Sequence, residues 1–592
     1  MRDRADRRRL RAGRLERRHV TMMAVLCAAL IGLSACRQRE SQQARATTTP
    51  EPDAAQGFDA LMRDFIAGYC ERNPTIATNS GLHEYDGKLP DFSPEGVGKT
   101  VAWLHEMRQR TAAIDAAKLD TKRRLYREYL AVEIDTELFN FQTLRVQENN
   151  TWYGYLALDP NLYLSRDYAP LAARMDAYTR HVRNLTPALA AMRRTIKPMS
   201  SGHASGFATY LTGLTTFVTT APYTVFAAVK DPARQEALKK ANDQAAAALN
   251  DLAKWIEASP RNEQFALGPK GYAEMLWALE RIDTPAEELK AIARRDLERN
   301  MESLRRACQA FAPGASLKEC RARVAARKPA DGPVAAATRQ VERLKRLCIE
   351  RRIVPIPEND VVVVAEAPPH QRSATAYIAV AGPHEKPAPS IYYISPPDPK
   401  WPAQEQQQYL QSEADLMTTT RHCVWSGHIL ETLRSNRSGN PLAAFTYSYA
   451  YTEGWSHYGE GMMLREALDD DPEMAIGQLQ NALLGNVRVL ASIGLHTGGM
   501  TIQEAENLFL EKAFCDPESA RQEAVRGTFD PGYIFYSLGE LMILKLRDDW
   551  LAANPGKSLE DFHEAFLSYG NPPIRPLRKT LLGAADDGKL FR

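Results

Sequence analysis

Helical periodicity repeats along most of the chain and constrains its fold more than any other feature of the sequence. The segment 283–311, "DTPAEELKAIARRDLERNMESLRRACQAF", places apolar side chains at intervals of three and four residues. Thr284 and Glu287 have the spacing of a capping box before it, and Thr501 and Glu504 repeat that spacing before a second apolar stretch. A large, mostly helical body (α+β) is therefore predicted, with other long helical stretches at 58–72, 99–145, 170–195 and 231–258.

One region departs from this periodicity. Between residues 352 and 400 the chain contains "VVVVAEAP", "ATAYIAVAGP" and "SIYYISPP", which are β-branched and aromatic runs separated by Pro and Gly. This composition predicts a small β-sheet inserted into the helical body. No linker is evident after residue 58, so we expect residues 58–592 to form one large unit.

The first 36 residues have the order of an export signal. Nine arginines and three acids accompany an apolar run, "MMAVLCAALIG", which is too short to span a bilayer permanently. "LSAC" then ends at Cys36 in the arrangement of a bacterial lipobox, whose cysteine is lipidated. A plain secretory signal and a retained anchor helix are the alternatives. We expect lipidation of Cys36 and, because no Asp follows it, an outer-membrane location facing the periplasm.

Residues 37–57 are polar and rich in Thr, Pro and Gln, which predicts a disordered tether. The chain of 592 residues has a formal net charge of +2. Residues 1–36 contribute +6 of this charge, so the remainder carries −4. A mildly acidic body without a cluster of basic residues lacks the positive charge that binds nucleic acid. We therefore expect a membrane contact through the lipid anchor and no nucleic-acid partner.

An oxidising compartment would permit disulfides among the cysteines of the body. Cys308 and Cys320 bracket the break "FAPGAS" between two helical segments, so they are the pair we expect to be bonded. Pairing of the others cannot be deduced from their spacing. These others are Cys70, Cys348, Cys423 and Cys515.

The segment 418–431, "TTTRHCVWSGHILE", contains two histidines six residues apart. In a regular α-helix this spacing would direct His422 and His428 to different faces. Gly427 could permit a bulge that brings both imidazoles to one centre. Two separately hydrogen-bonded core histidines are the simpler alternative, and the spacing alone favours it.

A second segment, "YAYTEGWSHYGEGMMLREAL", places Glu453, His457 and Glu460 on one helical face. A solvated acidic stripe is one interpretation. However, apolar residues surround this face, and a carboxylate on a buried helix must be paired or must bind a metal. Three glycines in the same helix indicate close approach by another element. The metal-binding interpretation is therefore favoured.

A third segment, "RGTFDPGYIFYSLGELMILKLRDDW", combines Arg526 with Tyr533 and Tyr536 at the start of an apolar helix. An arginine and tyrosine hydroxyls beside a metal could stabilise a tetrahedral oxyanion. A packed aromatic helix start would have the same residues, and the segment alone does not distinguish the two.

Taken together and in this order, the segments resemble a bacterial family named domain of unknown function 885 (DUF885), whose members are large, mostly helical and often exported. "NPTIATNSGLHEYDGKLPDFS" resembles its opening, and "HCVWSGHILE" is similar to its His-Glu-x-x-Pro-Gly-His motif. "EGWSHYGE", "LLGNVRVLASIGLHTGGMTIQEA" and "RGTFDPGYIFYSLGELMILKLR" are similar to later blocks. The resemblance extends over nearly the whole body.

This family is similar to helical zinc peptidases, so the resemblance implies a Zn²⁺ site and a peptide substrate or ligand. By that resemblance His422 and His428 are metal ligands and Glu453 is the third. His457 and Glu460 would orient those ligands, and an edge of the small sheet could bind an extended peptide. The remaining implied residues would line the substrate cleft, namely His496, Arg526, Tyr533 and Tyr536.

The chain departs from the family motif at Cys423, which replaces the glutamate that would activate water, and at Ser426, which replaces proline. A general base contributes roughly 10²–10⁴-fold to such a reaction. Three accounts remain. Glu460 or Glu431 has taken the role of base, or the protein is a weakened or inactive peptidase kept for binding. In the third and least favoured, Cys423 is itself a ligand or nucleophile. Two functions follow, a zinc-dependent peptidase lipoprotein and a peptide-binding lipoprotein derived from one.

Overall fold

The computed structural model describes residues 53–149, 154, 157–357, 359–367, 372, 375–397, 401–467 and 471–592. The predicted signal at 1–36, Cys36 and most of the predicted tether lie outside these residues. Asp53–Arg592 forms one compact unit. Its first helix begins at Ala54, so the predicted tether boundary at residue 57 is wrong. The Ala-Ala-Gln start favours a helix, and Phe58 and Leu61 on its first turns are buried in the core.

The described chain is predominantly helical with a small sheet, as predicted. The elements before the sheet are α1 (Ala54–Arg72), α2 (Pro74–Asn79), α3 (Pro94–Ala113), α4 (Thr121–Phe139), α5 (Val146–Asn149), α6 (Leu162–Ser165), α7 (Leu171–Thr195), α8 (Ser201–Val225), α9 (Pro232–Ala258), α10 (Gly268–Glu280), α11 (Ala286–Phe311), α12 (Leu317–Ala325) and α13 (Pro333–Glu350). The sheet consists of β1 (Val362–Glu366), β2 (Ala376–Ala379) and β3 (Ser390–Ile394).

The second half of the body carries the segments singled out in the sequence. Its helices are α14 (Ala403–Tyr409), α15 (Glu413–Cys423), α16 (His428–Arg437), α17 (Tyr449–Ala467), α18 (Pro472–Thr497), α19 (Ile502–Lys512), α20 (Pro517–Phe529), α21 (Phe535–Ala553), α22 (Leu559–Leu567) and α23 (Ile574–Leu582).

Two local predictions about helix ends are corrected. The stretch 99–145 is not one helix, because α3 ends at Ala113 and Asp120 caps a new helix by accepting a hydrogen bond from the Arg123 amide. Thr284 and Glu287 do not form a capping box, since Pro285 occupies the cap position of α11 and provides no side-chain acceptor.

The other predicted cap is present. The Thr501 side chain accepts a hydrogen bond from the Glu504 amide, and the Glu504 carboxylate accepts one from the Thr501 amide. This reciprocal pairing satisfies two of the amide groups that a helix start leaves without an intrahelical partner. It fixes the start of α19 at the end of the loop that follows α18.

The described residues pack around two hydrophobic cores. The smaller core is built mainly from α7, α8 and α9, and the larger one takes in most of the other helices. Cys308 at the end of α11 and Cys320 in α12 form a disulfide with a Cα–Cα distance of 5.8 Å, so the expected pair is the pair that the structure contains. The other cysteines of the described chain are free thiols.

Glycines in α17 allow other parts of the backbone to approach it closely. A Cβ atom on Gly454 would lie 2.6 Å from the Cα atom of Gly539, where α17 crosses α21. A Cβ atom on Gly459 would lie 2.0 Å from the carbonyl oxygen of Ser426. The glycines therefore have the role expected from the sequence, and α17 packs directly against the segment between α15 and α16.

The sheet has the strand order β1-β3-β2, in which β1 and β3 are parallel and β2 and β3 are antiparallel. It lies between α13 and α14, within the predicted range of 352–400. The hydroxyl groups of Tyr392 on β3 and Thr420 on α15 form a 3.4 Å hydrogen bond. This bond links the sheet to the helix that ends beside the first histidine.

Among the described residues, no helix combines the length and the hydropathy that a membrane span requires.

Candidate metal centre

The two histidines of 418–431 lie on two helices rather than on one bulged helix, so that part of the prediction is wrong. The first helix, α15, ends at Cys423 and α16 begins at His428. The chain folds back tightly between them, because a Cβ atom on Gly427 would lie only 1.7 Å from the His422 carbonyl oxygen. The break removes the helical register between the two histidines and lets both imidazoles face one point.

Three predicted ligands meet at that point. Nε2 of His422 lies 3.1 Å from Nε2 of His428. Oε2 of Glu453, one turn into α17, lies 3.5 Å from the first of these nitrogens and 3.4 Å from the second. The three side chains are 16–19% exposed, so the group is recessed but reachable from solvent. The convergence expected from the sequence is therefore present.

Two of these three distances match a cation with tetrahedral coordination, and the third, 3.1 Å between the two histidine nitrogens, is slightly shorter. Metal bonds of about 2.0–2.2 Å to nitrogen and oxygen place neighbouring ligand atoms of a tetrahedron about 3.3–3.6 Å apart. Within the described part of the chain, Glu453 Oε2 is buried and has no hydrogen-bond partner. A buried carboxylate oxygen without a donor is costly unless a cation occupies the position that it faces. The residues thus fit a divalent metal with one open position.

Hydrogen bonds behind the two histidines hold their rings in place. Nδ1 of His422 lies 2.7 Å from Oε1 of Glu460, and the Asn481 amide donates to the same oxygen at 2.8 Å. Nδ1 of His428 lies 3.0 Å from the hydroxyl of Ser456. The Glu460 carboxylate accepts the Nδ1 hydrogen of His422, which leaves Nε2 of the neutral ring free to face the shared point, as metal ligation requires. The Ser456 hydroxyl, which can donate or accept, fixes the orientation of the His428 ring.

The electrostatics of the group favour a cation at its centre. Burial lowers the pKa of His422, but Glu453 and Glu460 outweigh it and raise that pKa to about 9. Burial raises the pKa of Glu453, but His428 and His422 hold it well below the ordinary value. Two carboxylates therefore stabilise positive charge here, which either a proton on His422 or a bound metal can supply.

A second group of possible ligands, formed by His422, His457 and Glu460, lies behind the first. His457 and Glu460 are 1% and 0% exposed, which leaves no open position. The 2.7 Å separation of His422 from Glu460 is a hydrogen-bond distance, shorter than the spacing of two ligands on one metal. His457 Nδ1 lies 3.4 Å from the same carboxylate. Glu460 therefore contacts His422 from behind, as an orienting residue would, whereas neither ring nitrogen of His457 has a hydrogen-bond partner among the described residues.

Cys423 lies at the last position of α15 and is buried. Burial, then Glu453 and Glu460, raise the pKa of its thiol. Among the described residues, the groups of His, Cys, Asp and Glu whose ligand atoms lie close enough for one metal do not include it. A thiol held protonated outside the ligand group is a poor ligand and a poor nucleophile, so the account in which Cys423 performs either role is not supported.

Neither of the carboxylates proposed to replace the motif glutamate has the required properties. Glu460 was expected to be a candidate base, but it is fully buried behind His422, where its Oε1 atom accepts hydrogen bonds from His422 and Asn481. Glu431 on α16 is 2% exposed, and burial together with Glu453 raises its pKa to about 8. A carboxyl group whose pKa is raised in this way is mostly protonated at neutral pH, which disfavours Glu431 as the acceptor of a proton from water.

Two of the predicted cleft residues lie beside the centre. The Tyr536 ring stacks over the His422 ring with centroids 6.4 Å apart. Burial and Glu453 raise the pKa of Tyr536, so its hydroxyl stays protonated and can donate a hydrogen bond. The Arg526 guanidinium lies 5.8 Å from the centre of the same ring and pairs with Asp530.

The other two predicted cleft residues belong to the core, so their assignment is wrong. Both ring nitrogens of His496 bind backbone, with Nε2 at 2.8 Å from the Gly527 carbonyl and Nδ1 accepting from the Leu267 amide. Burial lowers the pKa of His496 to about 4, which keeps the ring neutral. Tyr533 is fully buried, and a Cβ atom on Gly527 would lie 2.4 Å from its hydroxyl. Neither side chain reaches the metal centre.

Sequence reasoning missed three residues of the site. Ser456 and Asn481 hold the orientation of the ligands, but nothing in their spacing distinguishes them. Arg488 on α18 lies with its guanidinium 4.7 Å from the centre of the Tyr536 ring and pairs with Glu523 at 2.6 Å. The sequence did contain a signal for Arg488, because a single arginine within an apolar helical run must be paired with an acidic group.

The fold and the site together define a large, predominantly helical protein with a recessed His/Glu group that could hold a metal ion. The sequence matches the family described as "Bacterial protein of unknown function (DUF885)" over residues 74–581. The chain therefore belongs to that family, as its motifs indicated. Among curated proteins, none matches the chain.

Two solved structures share the fold. One, a "putative lipoprotein of unknown function" from Shewanella oneidensis, superposes with a TM-score of 0.71 at 21% identity, covering 89% of this chain and 99% of that chain. The other, a "putative lipoprotein" from Colwellia psychrerythraea, gives a TM-score of 0.76 at 17% identity, covering 90% and 100%. A "putative oligoendopeptidase F" from Bacillus anthracis str. Ames gives only 0.28 at 12% identity over 83% and 94%, which is too low to carry an argument.

Proposed function

We propose that this protein is a lipid-anchored, zinc-dependent hydrolase of peptides that works slowly because Cys423 replaces its base. The observation that carries the proposal is the convergence of His422, His428 and Glu453 within 3.1–3.5 Å of one another. Three protein ligands with a solvent-accessible fourth side are the donor set of hydrolytic zinc sites, whereas structural zinc sites are closed.

A zinc ion in this group would supply Lewis acidity toward a peptide carbonyl and a water molecule. Imidazole and carboxylate ligands suit zinc, although nickel or copper would also accept them. The chain's own contribution is to hold Nε2 of both histidines toward the ion through Glu460 and Ser456.

Peptide hydrolysis also requires groups that stabilise the oxyanion, and polar groups beside the centre could do so. A peptide carbonyl gains negative charge as it is attacked, and donors aimed at that oxygen lower the barrier. Tyr536, whose ring stacks on that of His422, has a protonated hydroxyl that can serve as such a donor, and the Arg488 and Arg526 guanidinium groups beside its ring place positive charge there.

The site lacks a general base that could accept a proton from the attacking water. Cys423 follows directly after the ligand His422, but its thiol pKa is raised and it cannot take a proton from water at neutral pH. We therefore expect an intact metal site with impaired turnover. The alternative, a peptide-binding lipoprotein without activity, uses the same recess and differs in having no measurable hydrolysis.

The cellular location is part of the proposal. The lipobox-like "LSAC" would place a lipid on Cys36 and the body on the periplasmic side of the outer membrane. The two structural relatives described as lipoproteins support the anchor. Mass spectrometry of the membrane-released chain should find acylated Cys36, and an unmodified terminus elsewhere would remove this part of the proposal.

The activity is tested by restoring the carboxylate. Zinc-loaded Cys423→Glu should hydrolyse unstructured peptides about 100-fold faster than the native chain, the lower end of what a positioned base contributes. Cys423→Gln is the matched control, because it adds nearly the same volume without basicity and should give no increase. The zinc content of all three proteins must be measured, since altered occupancy would mimic altered chemistry.

Two results would contradict this reasoning. Equal gains from the glutamate and the glutamine variants would show that volume rather than basicity matters. A native chain that cleaves peptides rapidly and is slowed by Cys423→Glu would show that another group acts as the base. Zinc binding without hydrolysis by either protein would favour the binding lipoprotein.

A further inference from the structure

Arg488 on α18 is a largely buried arginine that keeps one side of its guanidinium group free. Its Nε and Nη2 atoms donate to the two carboxylate oxygens of Glu523, at 2.8 and 2.6 Å. Its Nη1 atom has no hydrogen-bond partner among the described residues, and it is not one of the buried polar atoms that lack a partner there. The side chain is nevertheless only 10% exposed. Nη1 therefore faces the accessible side of an otherwise enclosed guanidinium group.

This free donor lies beside the metal centre. The guanidinium carbon of Arg488 lies 4.7 Å from the centre of the Tyr536 ring, and that ring lies 6.4 Å from the His422 ring. Laid end to end, these two distances place the guanidinium carbon at most about 11 Å from the His422 ring. The helix gives a similar separation. Asn481, which donates to Glu460 behind His422, lies seven residues before Arg488 on the same face of α18, or about 10 Å along its axis.

The free side of Arg488 suits a carboxylate. A guanidinium group carries five N–H donors in a fixed fork, and a carboxylate can accept two of them along one edge. Glu523 occupies the edge formed by Nε and Nη2, which leaves the edge formed by Nη1 and Nη2 for a second carboxylate. Because Glu523 and the Tyr536 ring already hold the guanidinium in place, binding there costs little conformational entropy. Arg526, 5.8 Å from the same ring and paired with Asp530, adds a second guanidinium to this wall of the recess.

We propose that Nη1 of Arg488 binds the C-terminal carboxylate of a peptide whose chain extends past Tyr536 to the metal centre. An extended chain advances about 3.3–3.6 Å per residue, so a separation of about 10 Å corresponds to about three residues. The substrates are therefore peptides with a free C-terminus, from which fragments of about one to three residues are removed. The side-chain carboxylate of an acidic residue offers the same chemistry. This inference rests on the proposed function, because it takes a peptide as the occupant of the recess.

The test measures peptide binding rather than hydrolysis. Isothermal titration calorimetry with the full chain, incubated with zinc, compares N-acetyl-tetra-alanine, its C-terminal amide, and the C-terminal amide of N-acetyl-Ala-Ala-Glu-Ala. If the terminal carboxylate is bound, the tetra-alanine amide should bind about ten- to a hundredfold more weakly than the free acid, the usual range for a hydrogen bond to a charged group. If a side-chain carboxylate is bound, the glutamate amide should instead bind more tightly than the alanine amide.

The variant Arg488→Gln should abolish this preference, because glutamine lacks the charge and the fork of the guanidinium group. Arg281→Gln is the matched control and should keep the preference. Arg281 is 11% exposed and pairs with Asp135 at 2.7 Å, so it is as buried and as paired as Arg488. If Arg488→Gln fails to fold because Glu523 is left unpaired, the double variant with Glu523→Gln removes both charges. It should show the same loss of preference.

The preference itself separates a binding role from a structural one. An arginine that only supports the fold would, when replaced, change the affinity for all three peptides by the same factor. That result would overturn the inference. Equal binding of the three peptides to the native chain would overturn it too, as would a preference that survives in the folded Arg488→Gln protein, or no binding of any peptide.

The zinc content of the same samples separates this inference from the proposed function. A chain that prefers peptides with a carboxylate but holds no zinc would refute the hydrolase and leave the role of Arg488 intact. A chain that holds zinc and cleaves peptides, but binds the free acid and the amide equally, would refute the role of Arg488 alone.

Discussion

Replacing Gly427 with alanine should dismantle the metal centre without touching a ligand. A Cβ atom at this position would lie 1.7 Å from the His422 carbonyl oxygen, whereas such atoms essentially never approach within 3.0 Å. The backbone on one side of the break must therefore move by at least about 1.3 Å. A metal site tolerates deviations of about 0.2 Å in its ligand distances. The displacement is several times that tolerance, and it acts directly on His422 or His428.

We expect Gly427→Ala to weaken zinc binding at least about 100-fold, the upper end of what loss of a supporting interaction costs. The dissociation constant is measured by competition with a chromogenic zinc chelator. Gly213→Ala is the matched control, since Gly213 lies on α8 with nothing within 4 Å of the added Cβ. That variant should bind zinc normally and be stabilised by roughly 0.5–1 kcal/mol.

A second variant keeps the reasoning testable if Gly427→Ala fails to fold. A Cβ atom on Gly459 would lie 2.0 Å from the Ser426 carbonyl oxygen. Gly459→Ala should therefore displace the same turn between α15 and α16, through a contact made by α17. It should also weaken zinc binding. Circular dichroism must show that each variant is folded. A folded Gly427→Ala protein with native zinc affinity would refute the claim that this close contact positions the histidines.

Two further predictions concern the same ligand. Glu460→Gln removes the charged acceptor of the His422 Nδ1 hydrogen, so zinc affinity should fall about ten- to a hundredfold; unchanged affinity in the chelator assay would show that Glu460 does not orient the ring. Because the pKa of His422 is about 9 without metal, zinc must displace its proton at lower pH. Affinity should therefore rise with pH up to about 9 and level off above it. Calorimetry at pH 7.5 in two buffers of different protonation enthalpy should count about one released proton, and a count of zero would contradict the assignment.

The helical body and the small sheet were predictable because each depends on local patterns. Apolar periodicity identified α11 and α19, and the β-branched runs between residues 352 and 400 identified the strands. The capping boxes show the limit of such patterns. Thr501 and Glu504 form one and Thr284 and Glu287 do not, although the spacing is identical. Pro285 lies between the latter two and itself takes the cap position.

The members of the candidate His/Glu metal group were predictable from their residue types but not from their geometry. The spacing of His422 and His428 would place them on different faces of a single helix. They face the same point only because the helix breaks before His428. That break depends on contacts made by α17, which is distant in sequence. His496 and Tyr533 illustrate the opposite error. Their residue types suit a cleft, but whether a side chain faces a cleft or a core is decided by tertiary packing.

The central claim is that His422, His428 and Glu453 hold one zinc ion, and anomalous diffraction at the zinc edge tests it most directly. Crystals grown with zinc should show a single strong peak about 2.0–2.2 Å from His422 Nε2, His428 Nε2 and Glu453 Oε2. Glu453→Gln crystals should lose most of that peak. The claim would be contradicted by the absence of a peak at these three atoms, or by one on the far side of His422 between His457 and Glu460.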